Sequence, residues 1–225
     1  MAIKLKDKLV VNEKLTVKSY FIDLKEGFSY VKKDGLILNM TIFAAVVNAL
    51  FVPFNALQAP YVQDILKSGS LAMSIMSIAL LAGMTISTVL APKIKEKLNG
   101  RGMFILGGAL VGITYCILSM LGKLSGVNLY IVLSIDCFIF GVGALMVNFP
   151  LQIVLLKSVH QEYLSRVAAI LNAGALCAAP IGACITGVVS EFITIEVLFA
   201  VLGIIVAILF LLQILNKNIK EFNNY

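Results

Sequence analysis

The sequence predicts an all-α membrane protein: six transmembrane helices arranged as a 3+3 inverted repeat, with both termini on the cytoplasmic side. Three observations lead there. Hydrophobic residues make up 60% of the 225 positions and charged residues 13%, whereas a soluble domain carries about 25% charged residues. Six apolar stretches, at about 36–57, 69–91, 103–121, 128–156, 167–190 and 194–215, each approach the ~20 residues that cross a hydrocarbon core. Finally, the 18 Lys and Arg alternate between connectors. Sixteen fall in the tails, the second-to-third loop and the fourth-to-fifth loop, and only Lys67 and Lys123 fall on the other face. Keeping only the tail charges nearest helix one (Lys25, Lys32, Lys33) leaves eleven against two. The positive-inside rule places the richer face in the cytoplasm. Runs of this length without polar alternation exclude a barrel, whose strands would show a period of two. In lipid that leaves helices, which satisfy their own peptide groups.

The elements follow in order. Residues 1–18 are polar and Lys-rich and read as a flexible basic cytoplasmic tail. Over 19–35, Phe21, Leu24, Phe28 and Val31 recur at spacings of three, four and three. They form one face of an amphipathic helix, expected to lie in the head-group layer. Residues 36–215 are the bundle, and 216–225 form a second cytoplasmic tail. Helix one carries Pro53 and Pro60, helix four Gly141, Gly143 and Pro150, and helix five Gly174, Pro180, Gly182 and Gly187; bends are expected near Pro53, Pro150 and Pro180. Small residues at Ala79, Gly83 and Ser87, at Gly108 and Gly112, and at Ala178, Gly182, Ala183 and Gly187 let backbones approach closely. Gly83, Gly108, Gly112, Pro180 and Gly182 are therefore packing candidates. Asn55 with Gln58 near the outer end of helix one echoes Asn148 with Gln152 near the inner end of helix four. Those helices are the first members of two three-helix units crossing in opposite senses, a plan common in transporters.

Several function classes have no support. The net charge of +6 is explained by connectors that meet anionic lipid head groups, so the bilayer is the expected partner and nucleic acid is not. Cys116, Cys137, Cys177 and Cys184 all lie in apolar stretches without Cys-x-x-Cys spacing or a neighbouring His. They read as small packed thiols, and no metal or disulfide is expected. No phosphate-binding Gly-rich loop, His-Glu-x-x-His or Gly-x-Ser-x-Gly occurs, so neither an enzyme nor a cofactor is expected. The first 30 residues hold no secretory leader pattern.

Polar side chains within the apolar stretches remain. Asp136 is the one formal charge deep in a span, eight residues beyond Asn128 and so ~12 Å along the helix. A carboxylate at the bilayer centre costs at least ~2.5 kcal/mol and should face protein or a wet cavity. It is either a protonation or cation site in a transport path or an acid bonded to a neighbouring helix. Thr41, Asn48 and Asn55 repeat every seven residues on one face of helix one, and Asn148 and Gln152 sit four apart on helix four. With Gln58 they are candidates to line a polar cavity, or else they bond between helices. Asn172 is a similar amide nearer the cytoplasm, and His160 reads as a solvated loop residue.

Four segments together resemble the major facilitator superfamily, specifically its macrolide-efflux-like branch of drug exporters. Residues 19–33 look like the end of the central cytoplasmic loop entering the seventh family helix. Residues 148–167 look like the tenth helix and the loop after it, with Ser165-Arg166 where the family has Gly-Arg. Cys177-Ala-Ala-Pro180-Ile-Gly182 is similar to the Pro-Gly stretch of the eleventh helix. Residues 92–101 occupy the place of the basic loop but depart from its usual form. The resemblance covers nearly the whole chain and matches only the carboxy-terminal half of such a transporter. It implies that helices one and four line the substrate cavity, that helices two and five face a partner half, and that Arg101 and Arg166 act in cytoplasmic loops. It further implies a half-size, truncated or split efflux transporter in the cell membrane. Such a chain would move a small lipophilic compound by alternating access, with Asp136 as the proton-coupling residue. Its partner would be a second six-helix half or a homodimer mate. A non-transporting membrane protein, such as an immunity or partner-binding subunit or an inactive fragment, is the alternative.

Overall fold

A computed structural model of the chain describes residues 35–159 and 161–213. Among them all regular structure is helical: α1 (Gly35–Pro60), α2 (Ser70–Lys97), α3 (Gly100–Leu118), α4 (Gly126–Ser158), α5 (Gln161–Phe192) and α6 (Ile195–Leu212). A π-helical turn at Tyr61–Ile65 continues α1, and a 3-10 turn covers Leu121–Lys123. Five of these helices hold segments long and apolar enough to cross a membrane: Ala45–Ile65, Ser70–Lys97, Gly100–Lys123, Gly126–Lys157 and Ile195–Leu212. In α5, which is 32 residues long, the apolar part that stands out is the shorter Pro180–Phe192. The tails at 1–18 and 216–225, His160, and the amphipathic segment at 19–35 except Gly35 lie outside the described residues.

The helices outrun their apolar stretches at one end. α2 continues to Lys97, α4 to Ser158, and α5 starts at Gln161, leaving two-residue connectors at 98–99 and 159–160. Lys93, Lys95, Lys97, Arg101, Lys157 and Arg166 therefore sit on helix, and the expected loop placement of Arg101 and Arg166 is corrected. The physical reason is that a helix satisfies its own peptide groups and can run on through the head-group layer without loss. The long side chains of Lys93, Lys95, Lys97, Arg101 and Lys157 then reach water on their apolar stems. Lys95, Lys97 and Lys157 also lie in the last turns of their helices, where the helix dipole favours a cation.

Glycines set the helix crossings. α2 runs parallel to α4, with Gly83 under the Phe138 carbonyl, Gly141 under the Leu80 carbonyl, and Ala91 packed beside Met146. α3 runs antiparallel to α4 through Gly107 and Gly143. A Cβ on either would lie 2.8 Å from the carbonyl oxygen of the other. α3 is likewise antiparallel to α6, where Cβ atoms on Gly112 and Gly203 would lie 2.8 and 2.7 Å from each other's carbonyl oxygens. α1 and α5 form the remaining extensive pair, parallel, with Leu38 near Val167 and Val52 against Gly182. These approaches are what small residues permit between helices that gain nothing from leaving one apolar phase for another. Exchanging α1–α3 with α4–α6 maps the α2/α4 pair onto α5/α1 and the α3/α6 pair onto itself. It maps the close α3/α4 contact onto a slight one between α6 and α1.

This packing separates the charges. Lys95 lines a small cleft with Gly100, Met103, Phe149, Pro150, Ile153 and Val154, so the ends of α2 and α4 and the start of α3 share one end of the bundle. At the opposite end Gly122 lies against Ile65 and Glu196, which brings together the connectors that carry Lys67 and Lys123.

Candidate functional site

The site is built where α1, α3, α4 and α6 meet. Pro53 and Pro60 remove two backbone donors from α1, and the helix passes into a π-turn directly after Pro60. Irregular turns of this kind inside helices are frequent at functional sites. The buried face of this segment carries Val47, Phe54, Leu57 and Tyr61. Phe54 stacks on Phe140 of α4 at 4.3 Å between ring centroids, and Phe51 meets the same ring edge-on at 5.4 Å. Tyr115 of α3 touches Phe140 at 5.4 Å and Phe199 of α6 at 5.6 Å. Tyr61 lies 5.2 Å from Phe199.

Two phenols tie α1 to α3 in opposite directions. Tyr61 donates to the Leu118 carbonyl at 2.6 Å, and Tyr115 donates to the Leu50 carbonyl at 2.8 Å. Leu118 ends α3, so its carbonyl is one of those a helix leaves without an intrahelical donor. The Leu50 carbonyl is next to that of Ala49, whose partner Pro53 cannot supply. Both phenols are fully buried and so need a partner. Sequence reasoning missed both tyrosines; the one available signal was a phenol within an apolar run beside a proline.

Asp136 lies on α4 beside this cluster, with 1% of its surface exposed. Neither carboxylate oxygen has a hydrogen-bond partner among the described residues. Tyr61 is within electrostatic range of Asp136, of Cys137 and of Glu196 on α6. Ser87, buried on α2, also has an unpartnered hydroxyl.

The predicted cavity amides do not converge on Asp136. Asn48 and Asn55 are exposed on α1, Gln58 is half-buried, Asn148 is half-buried and Gln152 is exposed on α4. Asn55 donates to the Phe51 carbonyl at 3.4 Å and Asn148 to the Ala144 carbonyl at 2.8 Å, each four residues back on its own helix. Such back-bonding satisfies an amide locally. Rings, not amides, fill the contact between α1 and α4. Asn172 is exposed on α5; the side chains of Thr41, Cys177 and Arg166 lie outside the described residues.

The packing candidates fall at different places. Gly83 faces α4, Gly108 lies under the Phe210 ring, Gly112 faces Gly203, and Gly182 faces Val52, while Pro180 is exposed. Of the small stripe of α2, Gly83 and Ser87 are buried and Ala79 is half-buried. Its outward face is Leu71, Ile78, Leu81 and Val89. The buried side of α2 at Gly83 and Ser87 thus packs on α4 within the chain. No group of three metal-ligating side chains occurs among the described residues.

Comparison with curated proteins finds a similar chain in Bacillus subtilis (strain 168), the uncharacterized MFS-type transporter YvqJ. It is 26% identical over 170 residues, covering 75% of this chain and 38% of that protein. The chain thus spans about two fifths of the length of that relative. No protein-family profile and no solved structure matches it. Three quarters of the chain is thus similar to part of an MFS-type transporter.

Proposed function

We propose that this chain is one half of a major facilitator transporter of the efflux type. It acts with a second six-helix half, or with a second copy of itself, in the cell membrane. The observation that carries the proposal is the 170-residue similarity to an MFS-type transporter of more than twice the matched length. The helix packing adds support. Exchange of the two three-helix groups preserves the α2/α4 with α5/α1 correspondence and the α3/α6 pair, as an inverted repeat requires. In this reading α5 also spans the membrane, which brings the number of spans to six. The exposed amides Asn55 and Gln152 lie within spans. An amide facing acyl chains forgoes roughly 0.6–2 kcal/mol of bonding available between helices. A partner half, with a wet cavity between the halves, gives these side chains partners and a small lipophilic substrate a place to sit.

Asp136 is the proton-coupling residue in this proposal. A carboxyl kept buried without a partner costs ~2.5–3.5 kcal/mol in a span, and a group retained at that cost has a use beyond packing. Both termini and the basic end face the cytoplasm.

The test is drug and dye efflux from cells expressing the chain alone and together with a complementary six-helix half. Efflux is expected only from the pair, or from the chain alone if it dimerises. Absence of efflux from every combination that inserts stably would favour a non-transporting partner subunit. In the active combination Asp136→Asn is expected to abolish proton-driven efflux while leaving membrane insertion unchanged; efflux that keeps its pH dependence in this variant removes Asp136 from the mechanism.

A further inference from the structure

A groove runs along the seam between α3 and α6, where the two backbones come closest. Gly112 and Gly203, already in contact with each other, line it with Cys116 and Ala207. Ile113, Ile117, Met120, Ile204 and Ile208 complete the lining. The groove holds about 330 Å³, and none of the side chains around it is charged or carries a hydroxyl. Ile113, Met120, Ile204 and Ile208 are exposed, so it opens on the outer surface of the bundle. On α3 it extends from Gly112 to Met120, ~12 Å along the helix axis, and half of a hydrocarbon core is ~15 Å deep. The span that contains α3 is Gly100–Lys123, so the groove occupies the half of the bilayer next to Lys123. At that end the Lys123 amide donates to the Met120 carbonyl at 3.2 Å, and Lys123 is exposed. The Glu196 carboxylate lies against Gly122 together with Ile65, which is the α1 side of the same turn.

We propose that this groove seats one acyl chain of a membrane phospholipid whose phosphate is held by Lys123. The proposal depends on the bundle lying in lipid and not on transport. Volume, direction and charge favour that occupant. If a methylene group takes about the ~30 Å³ of a water molecule, the groove has room for roughly eleven, the scale of a chain that reaches the bilayer centre. It runs along helices that cross the bilayer, as acyl chains do. The one cation at its head-group end sits on a long apolar stem that lets the ammonium reach the phosphate layer. The rival occupant is a helix of a second copy or of a partner half. Helices in membranes meet through small residues that let backbones approach. Here Gly112, Gly203 and Ala207 are already in contact across the seam, and the rims are isoleucine and methionine, which hold another backbone away. An acyl chain fills the space between such rims, and without one the lining would lose those contacts.

The test uses the full chain in liposomes that contain either a phospholipid with a photoactivatable diazirine on one acyl chain or a diacylglycerol with the same chains and no phosphate. Mass spectrometry identifies the residues that each lipid labels. Phospholipid labelling is expected to concentrate on 112–120 and 203–208, several-fold above the exposed α2 face at Leu71, Ile78 and Val89. The diacylglycerol should label the groove several-fold less. Lys123→Gln should bring phospholipid labelling of the groove down to the diacylglycerol level. Ile204→Trp, which puts a large ring at the opening, should reduce groove labelling by both lipids and leave α2 labelling unchanged. Even labelling of the groove and the α2 face overturns the proposal, because the lipid there is then ordinary boundary lipid. Equal labelling of the groove by the two lipids, or an unchanged level in Lys123→Gln, overturns the phosphate contact and with it the proposed ligand. A groove that neither lipid labels overturns the proposal in favour of a protein occupant. Efflux is not read in any of these arms, so their failure leaves the transporter reading standing.

Discussion

Lys67 shows how local geometry constrains a single residue at the turn into α2. Its φ is 47°, in the left-handed region that costs an L-residue about 1–2 kcal/mol. The surrounding bonds demand it: Ser68 donates back to the Val62 carbonyl and Leu66 to the Tyr61 carbonyl, both at 3.0 Å, closing the helix in the manner usually given to glycine. Lys67→Gly is expected to stabilise the folded chain by about 0.5–1 kcal/mol, the strain relieved less the entropy glycine loses on folding. Lys67→Ala should give no such gain. Unfolding in mixed detergent micelles compares the two. A second residue-scale prediction concerns Tyr115, where loss of the hydroxyl removes the bond to Leu50 and keeps the ring among Phe54, Phe140 and Phe199. Tyr115→Phe should lose about 0.5–1.5 kcal/mol in the same measurement. Legibility at this scale followed charge. Asp136 could be singled out because a formal charge in an apolar run is costly unless it faces protein or water, and it is buried within the bundle. Tyr61 and Tyr115 could not be read as ties, because a phenol says that it needs an acceptor and nothing about which carbonyl, more than fifty residues away, will be beside it.

At the scale of the helix, segment length was legible and contact partner was not. Apolar runs at 36–57 and 69–91 found α1 and α2 because hydrocarbon leaves the backbone few choices. The basic-end boundary of α2 was drawn short, at 91 where the helix runs to Lys97, because hydropathy falls at the first lysine while the helix does not stop there. The small-residue stripes marked helix faces correctly as places of close approach in some cases and not in others. Gly83 is closed over by α4, whereas Gly187, on a stripe of the same kind, has open space around it. Spacing is identical in the two, and only the tertiary arrangement separates them. A methyl group distinguishes the sites by experiment. Gly83→Ala would press into the Phe138 carbonyl, a backbone atom that cannot swing aside. It is expected to destabilise the bundle by about 1–3 kcal/mol. Gly187→Ala should leave stability within ~0.5 kcal/mol. If Gly187→Ala instead disrupts assembly with a second half while the chain alone is unaffected, the open stripe is where that half packs.

For the whole molecule, solvent and charge decide orientation together. Leu71, Ile78, Val89, Ile131, Ile181 and Phe192 are among many large apolar side chains exposed on the bundle, an arrangement that water does not tolerate and acyl chains do. Once lipid surrounds the molecule, its two ends are no longer equivalent. Lys93, Lys95, Lys97, Arg101 and Lys157 gather at one end, and Lys67 and Lys123 are placed at the other, beside Glu196. α2 joins the ends: from Ser70 to Lys93 it rises ~35 Å, more than the ~30 Å of the hydrocarbon core, so Lys67 and Lys93 must lie on opposite sides of a bilayer that α2 crosses. In the orientation proposed above, the end around Lys93, richer in Lys and Arg, is the cytoplasmic one. In a chain whose native cysteines have been replaced, Lys67→Cys is therefore expected to react with a membrane-impermeant thiol reagent in intact cells. Lys93→Cys should react only after permeabilisation. Both positions are exposed, so a difference between them reports sidedness and not burial. The reverse pattern would invert the molecule and the direction of any proton flow through Asp136. Equal labelling of both in intact cells would mean that α2 does not cross the membrane, and the transport reading built on that crossing would fail with it.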